Sequence, residues 1–162
     1  MRVLKHLFAP SARRLFPDER LQRITAAIAA GELRHRGEVC FAVEAALPAS
    51  AVLAGRQARE RAGEIFSQLR VWDTEANNGV LLYLLLADHR IEIIADRGFR
   101  DRVSAEQWRG VCKLIEERLR SGEPEAAVVV GIEALSTLVA EHFPRRPDDV
   151  DDNELPNAPH VF

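Results

Sequence analysis

Asn77-Asn-Gly-Val-Leu-Leu-Tyr-Leu-Leu-Leu-Ala-Asp-His-Arg-Ile-Glu-Ile-Ile-Ala-Asp-Arg-Gly-Phe99 decides the architecture. Val80 to Ala87 is apolar without alternation, as expected of a central strand covered on both faces. Asp88-His89 is a tight turn, and Arg90-Ile-Glu-Ile-Ile-Ala95 alternates, so a β-hairpin with one partly exposed strand is predicted. Two polar loops bracket it, Asp73 to Gly79 before and Asp96 to Arg102 after, rich in residues that hydrogen-bond their own backbone.

Working outward, Glu38 to Ala46 is a second apolar run rich in β-formers, closed by Pro48. Between the runs, Ser50 is placed to cap a helix whose stripe is Ala58, Ala62, Ile65, Phe66 and Leu69. Such a strand–helix–strand crossover makes the two strands parallel, and the hairpin adds an antiparallel edge. Leu21, Ile24 and Ile28 mark a helix from Asp18, where acidic residues suit the positive N-terminal end. Ser104 to Gln107 is a capping-box start, and Pro124 sits in the first turn of a last helix ending near His142. The expected class is α/β: a three-layer α/β/α sandwich with a small mixed sheet flanked by about four helices. Residues 1–17 read as a basic N-terminal arm, 18–143 as the domain, and 144–162 as an acidic, proline-containing, disordered tail.

The chain's 162 residues and 18.1 kDa fit one core. No apolar run approaches the roughly 20 residues that span a bilayer. The balance of 22 basic and 25 acidic side chains, a net charge of −3, gives no basic field for nucleic acid. Lys5 and His6 interrupt what would be the apolar core of an export signal, and the two cysteines, Cys40 and Cys112, lie in apolar and helical patterns that favour reduced, packed thiols. A cytoplasmic location is expected.

In an antiparallel hairpin the start of one strand neighbours the end of the next, so the two polar loops should converge. That gathers Asp73, Glu75, Asn77, Asn78, Asp96 and Asp101 at one edge of the sheet, hard oxygen donors of the kind calcium or magnesium takes. The same residues also serve as ordinary turn formers, and nothing in their spacing alone separates the two roles. Glu38, opening the first strand, belongs either to this edge or to a turn.

The segment Asn77 to Phe99, preceded by a helix ending in Trp72 and followed by a capped amphipathic helix, resembles the TPM domain family of thylakoid-lumen phosphatase-like proteins and bacterial relatives of unknown function. The likeness spans roughly residues 18 to 143. It implies an α/β/α domain, a divalent-cation site as in some members, and a weak acid phosphatase activity as in plant members. Carried over by position, Asp73, Asn78, Asp96 and Asp101 become the candidate metal residues, with calcium or magnesium as the expected cofactor. Two departures matter. Many members are exported and carry a transmembrane segment, and the family's usual Gly-x-Gly in the second loop is here Asp96-Arg97-Gly98, which favours a side-chain site over a backbone phosphate cradle. The resemblance is to the short, soluble branch.

Competing motifs are weaker. Cys112 and Arg118 have the spacing of cysteine phosphatases, but they sit mid-helix with no glycine-rich loop to bind phosphate. The histidines show no paired ligand spacing for zinc, and the run from Asp149 has Glu154 where a calcium loop needs glycine. Arg2, Lys5, Arg13 and Arg14 of the arm suit an anionic surface or an acidic partner. The expected function is a binding or regulatory module holding a divalent cation, with a membrane-associated protein partner; the alternative is a weak metal-dependent phosphatase.

Overall fold

The computed structural model describes residues 1–150 and 153–162. Part of the acidic run from Asp148 to Glu154 therefore lies outside the described residues. Three strands form where the apolar runs predict them: β1 (Glu38–Glu44), β2 (Gly79–Leu85) and β3 (Arg90–Ala95). β1 and β2 are parallel, with Glu38 opposite Gly79 and Glu44 opposite Leu85; β2 and β3 are antiparallel, with Val80 opposite Ala95. Every residue of β1 and β2 is buried, whereas β3 is partly open, as its alternation requires.

Side chains alternate between two apolar layers. Val39, Phe41, Val43, Val80, Leu82 and Leu84 pack against α3 (Asp18–Glu32), α6 (Ala105–Arg120) and α7 (Pro124–His142). Cys40, Ala42, Leu81, Tyr83 and Leu85 pack against α4 (Ala49–Leu53) and α5 (Ala58–Gln68). Helices thus cover both faces, giving the three-layer α/β/α sandwich. The capping box of α6 is in place: Ser104 N–H donates to Gln107 Oε1 at 2.9 Å and Gln107 N–H to Ser104 Oγ at 3.2 Å.

Three expectations are corrected. The single helix from Ser50 to Leu69 is two, because Gly55 adopts φ +79° and Gln57 restarts the chain with its N–H on Glu60 Oε2 at 3.0 Å. The basic arm is two short helices, α1 (Arg2–Leu7) and α2 (Ala12–Leu15), tied to the core by buried Ala12 and Phe16; Phe16 meets Phe41 edge-on, centroids 5.9 Å apart. With these additions the described residues form seven α-helices, not about four. The segment expected to be disordered buries Leu155 and ends in β4 (His160–Val161), parallel to β1, so the sheet order is β3-β2-β1-β4. The reason is the edge of β1: unpaired strand groups recruit a partner, and His160-Val161-Phe162 supplies one.

Gly79 opens β2 because nothing larger fits. A Cβ there would run into the carbonyl oxygen of Val71 and meet Val71 Cγ1 at 2.9 Å. Gly79→Ala should therefore cost about 3 kcal/mol, the upper end for overpacking. A urea midpoint unchanged from wild type would mean that the chain at Val71 can move aside.

Candidate functional site

The two polar loops do converge. Asp96 N–H donates to the Gly79 carbonyl at 2.9 Å, Gly98 N–H to the Asn77 carbonyl at 2.9 Å, and Arg97 Nε to Asn77 Oδ1 at 2.8 Å. Asn77 takes φ +51°, and Gly98 lies so close to the backbone of residues 76 and 77 that a Cβ would collide with it.

The four predicted metal residues are not gathered at one point. Asp73 is exposed and pairs with Arg70 at 2.6 Å. Asp96 caps the 3₁₀ turn Arg97–Phe99, its Oδ1 accepting Arg97 N–H at 2.7 Å, while its Oδ2 is buried without a hydrogen-bond partner. Asp101 is exposed at φ +62°. Among the described residues, no three His, Cys, Asp or Glu side chains come close enough to share one ion.

Asn78 is placed differently. It is 1% exposed; its Nδ2 donates to the Arg36 carbonyl at 2.9 Å and its N–H to Thr74 Oγ1 at 3.1 Å, leaving Oδ1 buried with no partner. It lines a polar cleft of about 570 Å³ where the end of α3, the starts of β1 and β2, residues 145–150 and Glu154 meet. Glu32, His35, Arg36, Glu38 and Glu154 also line it.

Glu38 is the chemical centre of the cleft. Its residue is buried, and its Oε1 accepts the Glu154 N–H at 3.2 Å. Burial first, then the neighbouring charges of Glu32 and Glu154, push its carboxyl up to about 7. Burial pulls His35 down to about 4, helped by the charges of Arg34 and Arg145, so this imidazole is neutral at neutral pH. A carboxyl with its pKa raised by burial and neighbouring charges inside a cleft marks a candidate functional group. Sequence reasoning left Glu38 open and missed Glu32, His35 and Glu154. The one legible signal was a carboxylate opening an otherwise apolar strand. The Cys112 to Arg118 spacing carries nothing: it lies within α6, and burial pushes the Cys112 thiol up to about 11.

A family model described as TPM domain matches residues 12–138. Among solved structures, the NMR structure of the BA42 protein from the psychrophilic bacterium Bizionia argentinensis is similar, with 29% identity over 88% of this chain and 92% of that one and a TM-score of 0.76. No curated protein matches the chain. Among the described residues no helix is long and apolar enough to cross a membrane.

Proposed function

The chain belongs to the TPM domain family, and from that footing we propose that it is a binding module that takes a divalent cation, calcium or magnesium, in the cleft beside Asn78 and Glu38. The observation that carries this reading is Asn78 Oδ1, a buried oxygen with no partner. Such a group costs about 1–3 kcal/mol, a cost that a cation would remove. Glu38 supports the same reading: burial first, then the charges of Glu32 and Glu154, oppose its ionisation, and a metal charge in the cleft would offset both. Since no three His, Cys, Asp or Glu side chains among the described residues come close enough to share an ion, the ion would keep much of its water, a coordination suited to magnesium.

The test is an amide NMR titration of the metal-free protein with calcium, then magnesium, on wild type, Asn78→Ala and Glu38→Gln. Saturating shifts at residues 36–38 and 74–79, weakened at least tenfold by either change, are expected. Shifts gathered at 96–101 instead would move the ion to the loop edge, with the unpartnered Oδ2 of Asp96 as its anchor. No shifts up to about 10⁻³ M metal, the weak end of calcium modules, would end both metal readings.

A second reading, a weak metal-dependent phosphatase, is favoured by the placing of Glu38 and Arg36 in one cleft, where burial pushes the Glu38 carboxyl up to about 7, the range in which a general acid or base works best. Hydrolysis of an aryl phosphate that persists in Glu38→Gln would exclude it.

A further inference from the structure

Several large exposed apolar side chains are close together in the chain. Met1, Leu4, Leu7, Phe8 and Leu15 all lie within the first fifteen residues, and Phe8 is 81% exposed. Of these, Phe8 and Leu15 line a second cleft, of about 1070 Å³, between residues 5–15, the β2–β3 hairpin and the last turns of α6. This cleft lies at the carboxyl end of β2, opposite to the polar one. Crevices outside the carboxyl ends of strands are where open α/β sheets place ligands, and the volume lies just above the range of about 300–1,000 Å³ for small-molecule sites.

The cleft is built, since its N-terminal wall is fastened. Arg2 donates twice to Asp88, from Nε at 3.1 Å and Nη2 at 2.7 Å. His6, 5% exposed, bridges Asp88 Oδ1 at 3.0 Å and the Leu47 N–H at 2.9 Å. Leu47 N–H donates to Nδ1, so Nε2 carries the proton directed at Asp88, and the neutral tautomer satisfies both contacts.

Its lining has two characters. Phe8, Leu15, Leu86, Ile91 and Leu119 make apolar walls, and Lys5, Arg14, Arg90 and Arg120 stand around them. Arg120 is shared with Glu116 at 3.4 Å; Lys5, Arg14 and Arg90 have no carboxylate partner among the described residues. These cations are exposed at the rim of the cleft, placed to meet an anionic head group while the apolar walls cover a chain. We infer that this cleft binds a single-chain anionic amphiphile, its acyl chain along Phe8, Leu86 and Leu119 and its head group on Lys5, Arg14 and Arg90. The inference stands independently of the cation reading.

The probe is laurate, kept below its micellar concentration, followed by calorimetry and amide NMR on the full chain. Saturable one-to-one binding with shifts at residues 8–15, 86–91 and 116–120 is expected. Dodecanol should bind at least tenfold more weakly, and the Lys5→Glu/Arg14→Glu double variant should lose laurate affinity at least tenfold. Both substituted side chains are exposed, and far-UV circular dichroism checks the fold. Should that variant misfold, Arg90→Glu on the hairpin serves instead, with a loss of at least threefold expected. Equal affinity for dodecanol, or absence of the shifts, would overturn the inference. So would co-sedimentation with phosphatidylglycerol vesicles without uptake of monomeric laurate, which would make the apolar arm a bilayer-docking surface.

Discussion

Replacing Glu44 by alanine should destabilise the fold by about 3–5 kcal/mol, the range for removing one partner of a buried ion pair. Glu44 ends β1 with its side chain 8% exposed. Arg61 from α5 grips it with both arms of the guanidinium, Nε on Oε2 at 2.9 Å and Nη2 on Oε1 at 3.1 Å, and the buried Tyr83 hydroxyl donates to Oε2 at 2.7 Å. Burial and the adjacent Glu44 charge push the Tyr83 phenol well above its ordinary range, so it stays a donor throughout. Alanine would leave the buried Tyr83 hydroxyl without its acceptor under α5, and Arg61 with only the more exposed Glu64, whose Oε2 is 3.2 Å from Nη1. Arg61 also stacks over Phe162, 5.8 Å from the ring centroid, so the loss should spread to β4. Urea unfolding reads the first effect, and faster amide exchange at Val161 and Phe162 reads the second. Replacing all three partners together, with Glu44→Leu, Arg61→Met and Tyr83→Phe, should cost far less, because no charge is then stranded. A loss below about 1 kcal/mol for Glu44→Ala would mean that water reaches the pair.

Local pattern reached as far as the sheet and stopped where distant chain segments decide. Val80 to Leu85 announced a strand buried on both faces because it lacks alternation, and the hairpin geometry made the meeting of the two loops legible through Asn77 and Gly98. The break at Gly55 was hidden because Ser50 before it and Ala58 after it both read as helix, and only the left-handed backbone of that glycine separates them. The last residues looked solvated by composition; what orders them is the open edge of β1, and Phe162 completes the pairing with its N–H on the Val43 carbonyl at 2.9 Å. The arm read as a run of charge, whereas His6 acts through Asp88, 82 positions away. Glu38 is the same case within the candidate site: its meaning comes from Glu154, 116 positions on, and from Asn78 across the parallel register.

That dependence makes the stability of the metal-free protein a function of pH with a predictable sign. In the unfolded chain Glu38 ionises near its ordinary value of 4.5. Folded, it keeps its proton up to about 7, since burial and the charges of Glu32 and Glu154 oppose ionisation. Between these values the folded state binds more protons than the unfolded one. Stability from this group is therefore full below about 4, falls as pH rises, and levels off above about 7. The difference corresponds to about 3 kcal/mol. His35 works in the opposite sense: its value, lowered to about 4, makes the fold lose stability as pH falls below about 6.5, so the two neighbours offset each other in wild type. Glu38→Gln separates them, because glutamine keeps the shape of the protonated acid and cannot ionise. In the presence of a chelator, urea midpoints should show the variant more stable than wild type by about 3 kcal/mol at pH 8, with the gap closing towards pH 4. Saturating magnesium or calcium at pH 8 should raise wild type towards the variant and leave the variant unmoved, since the metal takes the place of the Glu38 proton. A gap that does not change with pH would place the Glu38 carboxylate in contact with water and remove it from the centre of the cleft. A pH-dependent gap insensitive to metal would keep Glu38 buried and assign its proton to the acid–base reading instead.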